Sequence, residues 1–229
     1  LLRGAGSGAG GVASTFNNIS MMLRHCCNHP WLIQEVEDGA LHDLDESYGQ
    51  EAEAERSRQY TERLVQSSGK FVLLRKLLPK LKADGHRVLI FSQWTTMLDI
   101  LEEFLTNLGM LYSRLDGSTA VKERQQLIDD FKADEDITCF LLSTRAGGMG
   151  INLTSADTVI LHDLDFNPMV DRQAEDRCHR IGQTRPVTVY KMVSKGTVDE
   201  KIYFISERKG LLAATMMGEQ DREGAGDAD

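Results

Sequence analysis

A glycine-rich stretch follows an apolar run near the middle of the sequence. It reads Ser143-Thr-Arg-Ala-Gly-Gly-Met-Gly-Ile-Asn152-Leu153 and comes directly after the run 137–142. Glycines let backbone N–H groups approach an anion closely, and the hydroxyls of Ser143 and Thr144 add further donors. The stretch is not a Walker A loop, because no Gly-Lys-Ser/Thr follows it. Two interpretations stay open, namely a phosphate-binding loop and a glycine turn that only redirects the chain.

A second polar cluster combines one glutamine with two arginines. Gln173, Arg177 and Arg180 are spaced four and then three residues apart. On a helix this spacing places them along one face, over about 10 Å at ~1.5 Å rise per residue. A planar guanidinium can hold two phosphate oxygens at once, so two arginines aimed the same way suit a triphosphate. The alternative is a solvated helix face with salt bridges, because Glu175 and Asp176 lie close by.

Two further polar segments each come directly after a predicted strand. They read Phe91-Ser-Gln-Trp94 and Arg114-Leu-Asp116-Gly117. Polar residues and a tryptophan at the end of a strand can contact a nucleic-acid backbone or a neighbouring domain. The alternative for the first segment is a helix cap followed by a core tryptophan, and a similar structural role is open for the second.

Strands that alternate with helices are predicted to position these four segments. Apolar runs predict strands over 88–91, Leu111–Leu115, Ile137–Ser143, 158–162 and 187–193, and a helix is expected from about residue 169 to residue 181. This alternation implies right-handed β-α-β units and a covered, mainly parallel sheet, hence an α/β fold. Ligands of such sheets collect at the carboxyl ends of the strands, where the polar segments lie.

The charge of the chain is unevenly distributed. The formal net charge is −9, but residues 35–62 hold ten acidic and two basic side chains, and residues 218–229 hold five acidic and one basic. The rest of the chain therefore carries a net charge of +3. A mildly basic folded part is compatible with phosphate contact.

The cysteines and the apolar runs exclude other classes of protein. Two of the four cysteines are adjacent and two are distant, so no disulfide framework is indicated and a reducing compartment is favoured. The stretch His25-Cys-Cys-Asn-His29 lacks the paired C-x2-C spacing of zinc sites, which favours helix packing over metal binding. No apolar run approaches the ~20 residues that a membrane span needs.

The order of the segments is more specific than any one of them. Together they resemble the consecutive motifs of Swi/Snf-type chromatin-remodelling ATPases of helicase superfamily two. In chain order the motifs are Leu23-Arg-His-Cys-Cys-Asn-His-Pro30, Ser68-Gly-Lys70, Phe91-Ser-Gln-Trp94, Arg114-Leu-Asp-Gly-Ser118, the glycine-rich stretch, Asp163-x-Asp-x-Asn-Pro168 and Gln173-Ala-Glu-Asp-Arg-Cys-His-Arg-Ile-Gly-Gln183. The resemblance covers residues 15–33 and 67–215.

The resemblance implies a RecA-like three-layer sandwich that forms the second of two lobes. In that family ATP binds between the lobes, and the first lobe supplies the Walker A lysine and the Asp-Glu pair that holds Mg²⁺. Neither motif occurs in this sequence, so no metal ligand is expected in it. By position, Arg177 and Arg180 match the catalytic arginine fingers, and Gln173 matches the leading glutamine of their motif.

The same resemblance assigns binding residues. The loop that lines the nucleotide cleft in the family is matched by Gly148, Gly150 and Asn152. Residues near the DNA backbone phosphates are matched by Gln93, Arg114, Gly117, Ser143, Thr144 and Arg145. The expected partners are double-stranded DNA, nucleosomes with their histones, and the first lobe of the same protein, with ATP and Mg²⁺ as nucleotide and metal. A nuclear location is expected, and no membrane partner.

Three functional readings follow from the resemblance. The first is a lobe of a DNA-translocating ATPase that remodels nucleosomes, inactive as an isolated fragment. The second is a non-catalytic platform for DNA or histones, and the third is a strand-separating helicase of the same superfamily. Within the family, Leu161-His-Asp163 and Asp176-Arg-Cys-His-Arg180 are more similar to the Fun-thirty-type branch than to the ISWI or CHD branches.

The predicted organisation has five parts. Residues 1–14 form a flexible glycine-rich segment and residues 15–33 a helical segment from the lobe junction. Residues 34–66 form a disordered acidic insert, for which a helix around Glu51–Arg63 is the alternative, residues 67–215 the helicase C-terminal lobe, and residues 216–229 an acidic tail.

Overall fold

Five parallel strands form the central sheet of the computed structural model, which describes residues 9–48, 53–147 and 151–223. The strands are β1 (Val88–Ser92), β2 (Leu111–Leu115), β3 (Ile137–Ser143), β4 (Thr158–Leu161) and β5 (Thr188–Lys191). Their order across the sheet is β2-β3-β1-β4-β5, and every neighbouring pair is parallel. The strand that starts the sheet in sequence therefore lies at its centre, and all five residues of β1 are buried.

Nine α-helices surround or flank this sheet in the described part of the chain. They are α1 (Ala9–Asn28), α2 (Gln34–Tyr48), α3 (Glu53–Gln66), α4 (Gly69–Ala83), α5 (Thr95–Asn107), α6 (Val121–Ala133), α7 (Thr144–Gly147), α8 (Pro168–Glu175) and α9 (Val198–Glu223). A short 3-10 turn, Pro30–Leu32, follows α1.

The alternation of side chains along β1 divides the core into two clusters. Val88 and Ile90 pack with buried residues of α4 and α5 on one face of the sheet. Leu89 and Phe91 pack with residues of α6, α8 and α9 on the other face. A parallel sheet must be covered on both faces to bury such continuous apolar strands. The predicted α/β fold with a central parallel sheet is therefore confirmed.

The acidic segment 34–66 differs from the prediction of disorder, because it contains the helices α2 and α3. Three of its apolar side chains, Leu44, Leu64 and Val65, are buried. The carbonyl of Leu64 also lies 2.8 Å from Nε2 of His29, which fixes the end of α3 beside the turn that follows α1. A few apolar residues at helical spacing are enough to anchor a helix pair whose other faces are charged and solvated.

The two ends of the described chain are more helical than expected. The helix α1 begins at Ala9, inside the predicted flexible segment 1–14, and residues 1–8 lie outside the described residues. The helix α9 runs to Glu223, inside the predicted acidic tail 216–229, and residues 224–229 lie outside the described part. Among the described helices, none is both long enough and apolar enough to cross a bilayer.

Candidate nucleotide and DNA site

The carboxyl ends of four strands meet at one edge of the sheet. The pairing register aligns Ser92 at the end of β1 with Ser143 at the end of β3. It also aligns Leu115 of β2 with Leu142, and Leu161 of β4 with Phe91. The segments that follow these strands therefore begin side by side, as expected for the ligand-binding edge of a parallel sheet.

The arginine segment is not the continuous helix that its spacing predicts, and the expected helix 169–181 is wrong beyond Glu175. The helix α8 begins at Pro168, close to the predicted start at about residue 169. Its N-terminus is capped by Asn167, whose Oδ1 accepts from the N–H of Met169 at 3.1 Å. Beyond Glu175 the N–H groups of Arg177 and Cys178 donate to carbonyls three residues back, and the carbonyl of Arg177 accepts from the N–H of Leu153 at 3.3 Å. That acceptor is thus engaged by the glycine-rich loop, and turns replace the helix.

The two arginines nevertheless converge on one point of the sheet edge. Nη1 of Arg177 and Nη1 of Arg180 each lie 3.5 Å from the carbonyl oxygen of Ile151. Arg177 is only 9% exposed, and within the described residues its Nε is buried without a hydrogen-bond partner. Burial and the neighbouring charge of Arg180 both lower the pKa of Arg177. Two cations held this close favour an anion between them.

A side chain outside the expected set fixes the arginine segment in place. Nε2 of Gln183 lies 2.8 Å from the carbonyl of Ala156 and 3.3 Å from each of the carbonyls of Thr154 and Cys178. This contact set, the Gln183 clamp, joins the arginine segment to the loop before β4. Gln183 closes the quoted arginine motif, and the residue before it, Gly182, turns the chain with a φ of +103°.

The residues expected to line the nucleotide cleft are only partly within the described chain. Asn152 is exposed, and its Oδ1 accepts from the N–H of Thr154 at 3.3 Å. Gly148 and Gly150 lie outside the described residues. Gln173 is exposed on α8, one turn before Arg177.

Most of the residues expected to contact DNA lie at the same edge. Gln93 is held by its own N–H, which donates to Asp163 Oδ1 at 3.0 Å, and by its Nε2, which donates to the carbonyl of Leu164 at 2.8 Å. Ser143 is buried, and its Oγ accepts from the N–H of Ala146 at 3.2 Å. This bond caps α7, which carries Thr144 and the exposed Arg145. Among these residues, Arg145 presents an exposed cation, whereas the backbone N–H and Nε2 of Gln93 are engaged within the protein.

Arg114, within β2, and Gly117, two residues after its end, have different environments. Gly117 is exposed, with open space around it. The guanidinium of Arg114 is instead engaged by the carboxylates of Asp99 at 2.6 Å, of Asp116 at 2.7 Å and of Glu102. The side chain that the sequence assigns to DNA contact is thus held by three carboxylates of the same lobe.

Buried carboxylates support the loop of Gln93. Asp163 follows β4 by two residues, and its Oδ2 accepts from Ser92 Oγ at 2.5 Å. Burial raises the pKa of Asp163. On the adjoining helix α8, burial raises the pKa of Asp171 to about 7.

The histidine–cysteine stretch of α1 does not form a metal site in the structure. Cys26 is exposed, and the ring of His25 packs edge-on against Trp94 with centroids 4.7 Å apart. Within residues 9–48, 53–147 and 151–223, no group of three or more His, Cys, Asp or Glu side chains is placed to hold a metal ion.

Comparison with known proteins assigns this geometry to a family. The family described as Helicase conserved C-terminal domain matches residues 69–182. The protein called CHROMATIN REMODELING 19 of Arabidopsis thaliana is 53% identical over 194 residues, which is 83% of this chain. The chain belongs to the Swi/Snf-type remodelling ATPases, as their C-terminal RecA-like lobe.

Other Swi/Snf-type relatives agree. A Drosophila melanogaster protein, named as a homologue of the SWI/SNF-related regulator of chromatin subfamily A containing DEAD/H box 1, is 60% identical over 146 residues, or 64% of this chain. The solved structure described as the C-terminal part of the Fun30 ATPase domain is 50% identical, with a TM-score of 0.60. It covers 61% of this chain, and the chain covers 45% of it. The chain spans 25% of the Arabidopsis relative and 17% of the Drosophila relative.

Proposed function

We propose that this Swi/Snf-type lobe works in a longer, nuclear protein as one half of a DNA-dependent ATPase that translocates on double-stranded DNA and remodels nucleosomes. Arg177 and Arg180 act as arginine fingers on ATP that is held by a first lobe. The observation that carries this proposal is the convergence of both guanidinium groups on the carbonyl of Ile151, at 3.5 Å each.

The proposed roles of these arginines follow from electrostatics. Negative charge develops on the transferring phosphoryl group, and a guanidinium in a partly desolvated site stabilises it more than water does. The Mg²⁺ that neutralises phosphate oxygens in such sites would be held by the first lobe, as the resemblance to the family implies. Gln173, Asn152, Gly148 and Gly150 are proposed to line the nucleotide side of the cleft.

DNA binding is proposed for the adjoining part of the edge. The residues concerned lie at or just after the ends of strands that finish side by side, namely Gln93, Gly117, Ser143, Thr144 and Arg145. Contacts from such groups go to phosphates, so they are indifferent to base sequence and sensitive to salt. ATP binding would bring the lobes together and hydrolysis would release them, so that alternate gripping moves the duplex. The isolated lobe is proposed to lack ATPase activity.

The test is DNA-stimulated ATP hydrolysis by the two-lobed protein with Arg177→Ala. We expect kcat to fall ~10³- to 10⁵-fold, which is the range for losing an arginine finger. Arg172→Ala is the matched control, because Arg172 is an exposed arginine on α8 that forms no ion pair within the described residues. Turnover within a few-fold of wild type in Arg177→Ala would reject the finger assignment, whereas a wild-type protein without DNA-stimulated hydrolysis would favour a non-catalytic DNA or histone platform.

A further inference from the structure

A buried lysine outside the candidate site joins three separate elements of the fold. Nζ of Lys70, in the first turn of α4, donates to Asn28 Oδ1 at 2.8 Å and to the carbonyl of His162 at 2.7 Å. It also lies 2.7 Å from Oδ2 of Asp199. These acceptors belong to the end of α1, the residue after β4 and the first turn of α9. An ammonium group has three N–H donors, so each acceptor receives one. We call this contact set the Lys70 hub.

Neighbouring hydrogen bonds tie the same elements together a second time. Oγ of Ser68 donates to the carbonyl of Asn28 at 2.7 Å, which links the start of α4 to the end of α1. Oγ of Ser194 donates to the carbonyl of Cys27 at 3.3 Å, and the N–H of Ser194 donates to Asp199 Oδ2 at 3.4 Å. The end of α1 and the start of α9 are therefore held to each other as well as to α4.

Stability alone gives a weak reason for a charged pair at this position. The side chains of Lys70 and Asp199 are only 4% and 9% exposed. Replacing a buried ion pair by well-packed apolar residues is often neutral or stabilising, because both charges lose their hydration. What an apolar replacement cannot reproduce is the directional arrangement, in which one group fixes three elements at hydrogen-bond distance.

The hub is connected to the proposed DNA-binding edge through consecutive residues. His162 supplies a carbonyl to Lys70, and the next residue, Asp163, accepts from Ser92 Oγ at 2.5 Å and from the N–H of Gln93 at 3.0 Å. Of the two residues after β4, His162 thus contacts the Lys70 hub through its carbonyl, and Asp163 holds the loop of Gln93 through its carboxylate.

The helices held by the hub lie outside the matched helicase domain of residues 69–182. The helix α1 precedes that domain in the chain, and α9 follows it. Both carry exposed apolar side chains, with Met22 of α1 at 51% exposure and Leu211 of α9 at 70%. The hub is therefore the place where these flanking helices are fixed to the sheet.

We propose that Lys70 is a positioning residue, which makes α1 and α9 move as one body with the DNA-facing edge of the lobe. This inference rests on the proposed function, because it concerns how the motor transmits its motion. A displacement of either flanking helix reaches Gln93 through Lys70, His162 and Asp163. Loss of Lys70 separates ATP hydrolysis from DNA movement without removing any group of the nucleotide site.

The experiment uses the two-lobed protein with Lys70→Met, the pair Lys70→Met with Asp199→Leu, and Lys201→Met as an exposed control on α9. Three quantities are measured: melting temperature, base pairs moved per ATP hydrolysed, and hydrogen exchange of the backbone. Lys70→Met leaves the Asp199 carboxylate buried and uncompensated, so its melting temperature falls. The double variant buries no such charge, so its melting temperature recovers.

The base pairs moved per ATP distinguish positioning from structural support. We expect this ratio to fall about 2- to 30-fold in both Lys70 variants, the range in which network residues alter coupling between sites. Exchange should rise together at the end of α1, at the start of α9 and at residues 162–164. Recovery of both melting temperature and movement per ATP in the double variant would show that the hub is only structural. Increased exchange confined to α4 would also overturn the inference. The exchange measurement does not depend on ATP hydrolysis. A wild-type protein that hydrolyses no ATP would reject the proposed function and leave the exchange test of the Lys70 hub in place.

Discussion

The Gln183→Glu substitution removes the N–H donors of the Gln183 clamp while keeping the shape of the side chain. In the structure, Nε2 faces three carbonyls, those of Thr154, Ala156 and Cys178, at 2.8–3.3 Å. A glutamate places an acceptor against the same three carbonyl oxygens. The side-chain oxygen that accepts from the N–H of Arg185 at 2.9 Å is retained.

The magnitude follows from the number of donors. An amide has two N–H groups, so at most two full hydrogen bonds are lost, each with a net value of ~0.5–1.5 kcal/mol. We expect the free energy of unfolding of the chain to fall by about 1–3 kcal/mol in urea denaturation. Gln125→Glu is the matched control, since exposed Gln125 donates only to Asp129 one turn away on α6. A like-charge pair at that spacing costs about 0.2–0.5 kcal/mol.

The functional consequence is a displaced arginine segment. In the two-lobed protein we expect kcat for DNA-stimulated ATP hydrolysis to fall ~10²-fold, because a misplacement near 1 Å costs about that much. The KM for ATP should change less, since the Nε2 group of Gln183 faces backbone carbonyls of the lobe. If Gln183→Glu lowers the unfolding free energy but leaves kcat at the wild-type value, the clamp does not position the fingers and the reasoning is refuted.

Three further predictions test other parts of the structure. Burial raises the pKa of Asp171 to about 7. The contribution of this group to folding stability is therefore complete below its unfolded pKa of 3.8 and is lost as the pH rises through 7. In urea denaturation Asp171→Asn should be more stable than wild type at pH 8, and this gain should disappear at pH 4. Phe71→Ala should lose ~3–5 kcal/mol of unfolding free energy, because Phe71 is fully buried, whereas Phe204→Ala, at 61% exposure, should stay within about 0.5 kcal/mol. Arg145→Ala should reduce the salt dependence of DNA binding by about one phosphate contact, and Arg114→Ala should leave that slope unchanged because carboxylates already hold its guanidinium.

The strands and their polar ends could be predicted from local sequence. Leu111–Leu115 and Ile137–Ser143 occur in the structure with the predicted bounds. Ile137–Ser143 is a short, apolar-rich run in the interior of the sheet, whereas Leu111–Leu115 is an edge strand whose buried residues, Ser113 and Leu115, alternate with more exposed ones. The edge at which Gln93 and Thr144 lie then follows from the parallel order of the strands.

Long-range contacts account for what could not be predicted. The predicted helix stops at Glu175, before both arginines, and the carbonyl of Arg177 bonds to Leu153, a long-range contact that no local pattern indicates. Arg114 matches a DNA-contact position in its own segment, yet two of its carboxylate partners, Asp99 and Glu102, come from the helix before it. The acidic segment forms helices because Leu64 and its neighbours find a buried surface that composition alone does not reveal.

The rate of ATP hydrolysis on DNA by this chain alone, compared with a protein that carries the same lobe after its first lobe, tests the central claim most directly. Because Arg177 and Arg180 act on a nucleotide held by another lobe, we expect the chain alone to show no DNA-stimulated hydrolysis above background. The two-lobed protein should hydrolyse ATP rapidly when DNA is added. Sustained, DNA-stimulated hydrolysis by residues 1–229 alone would contradict the account.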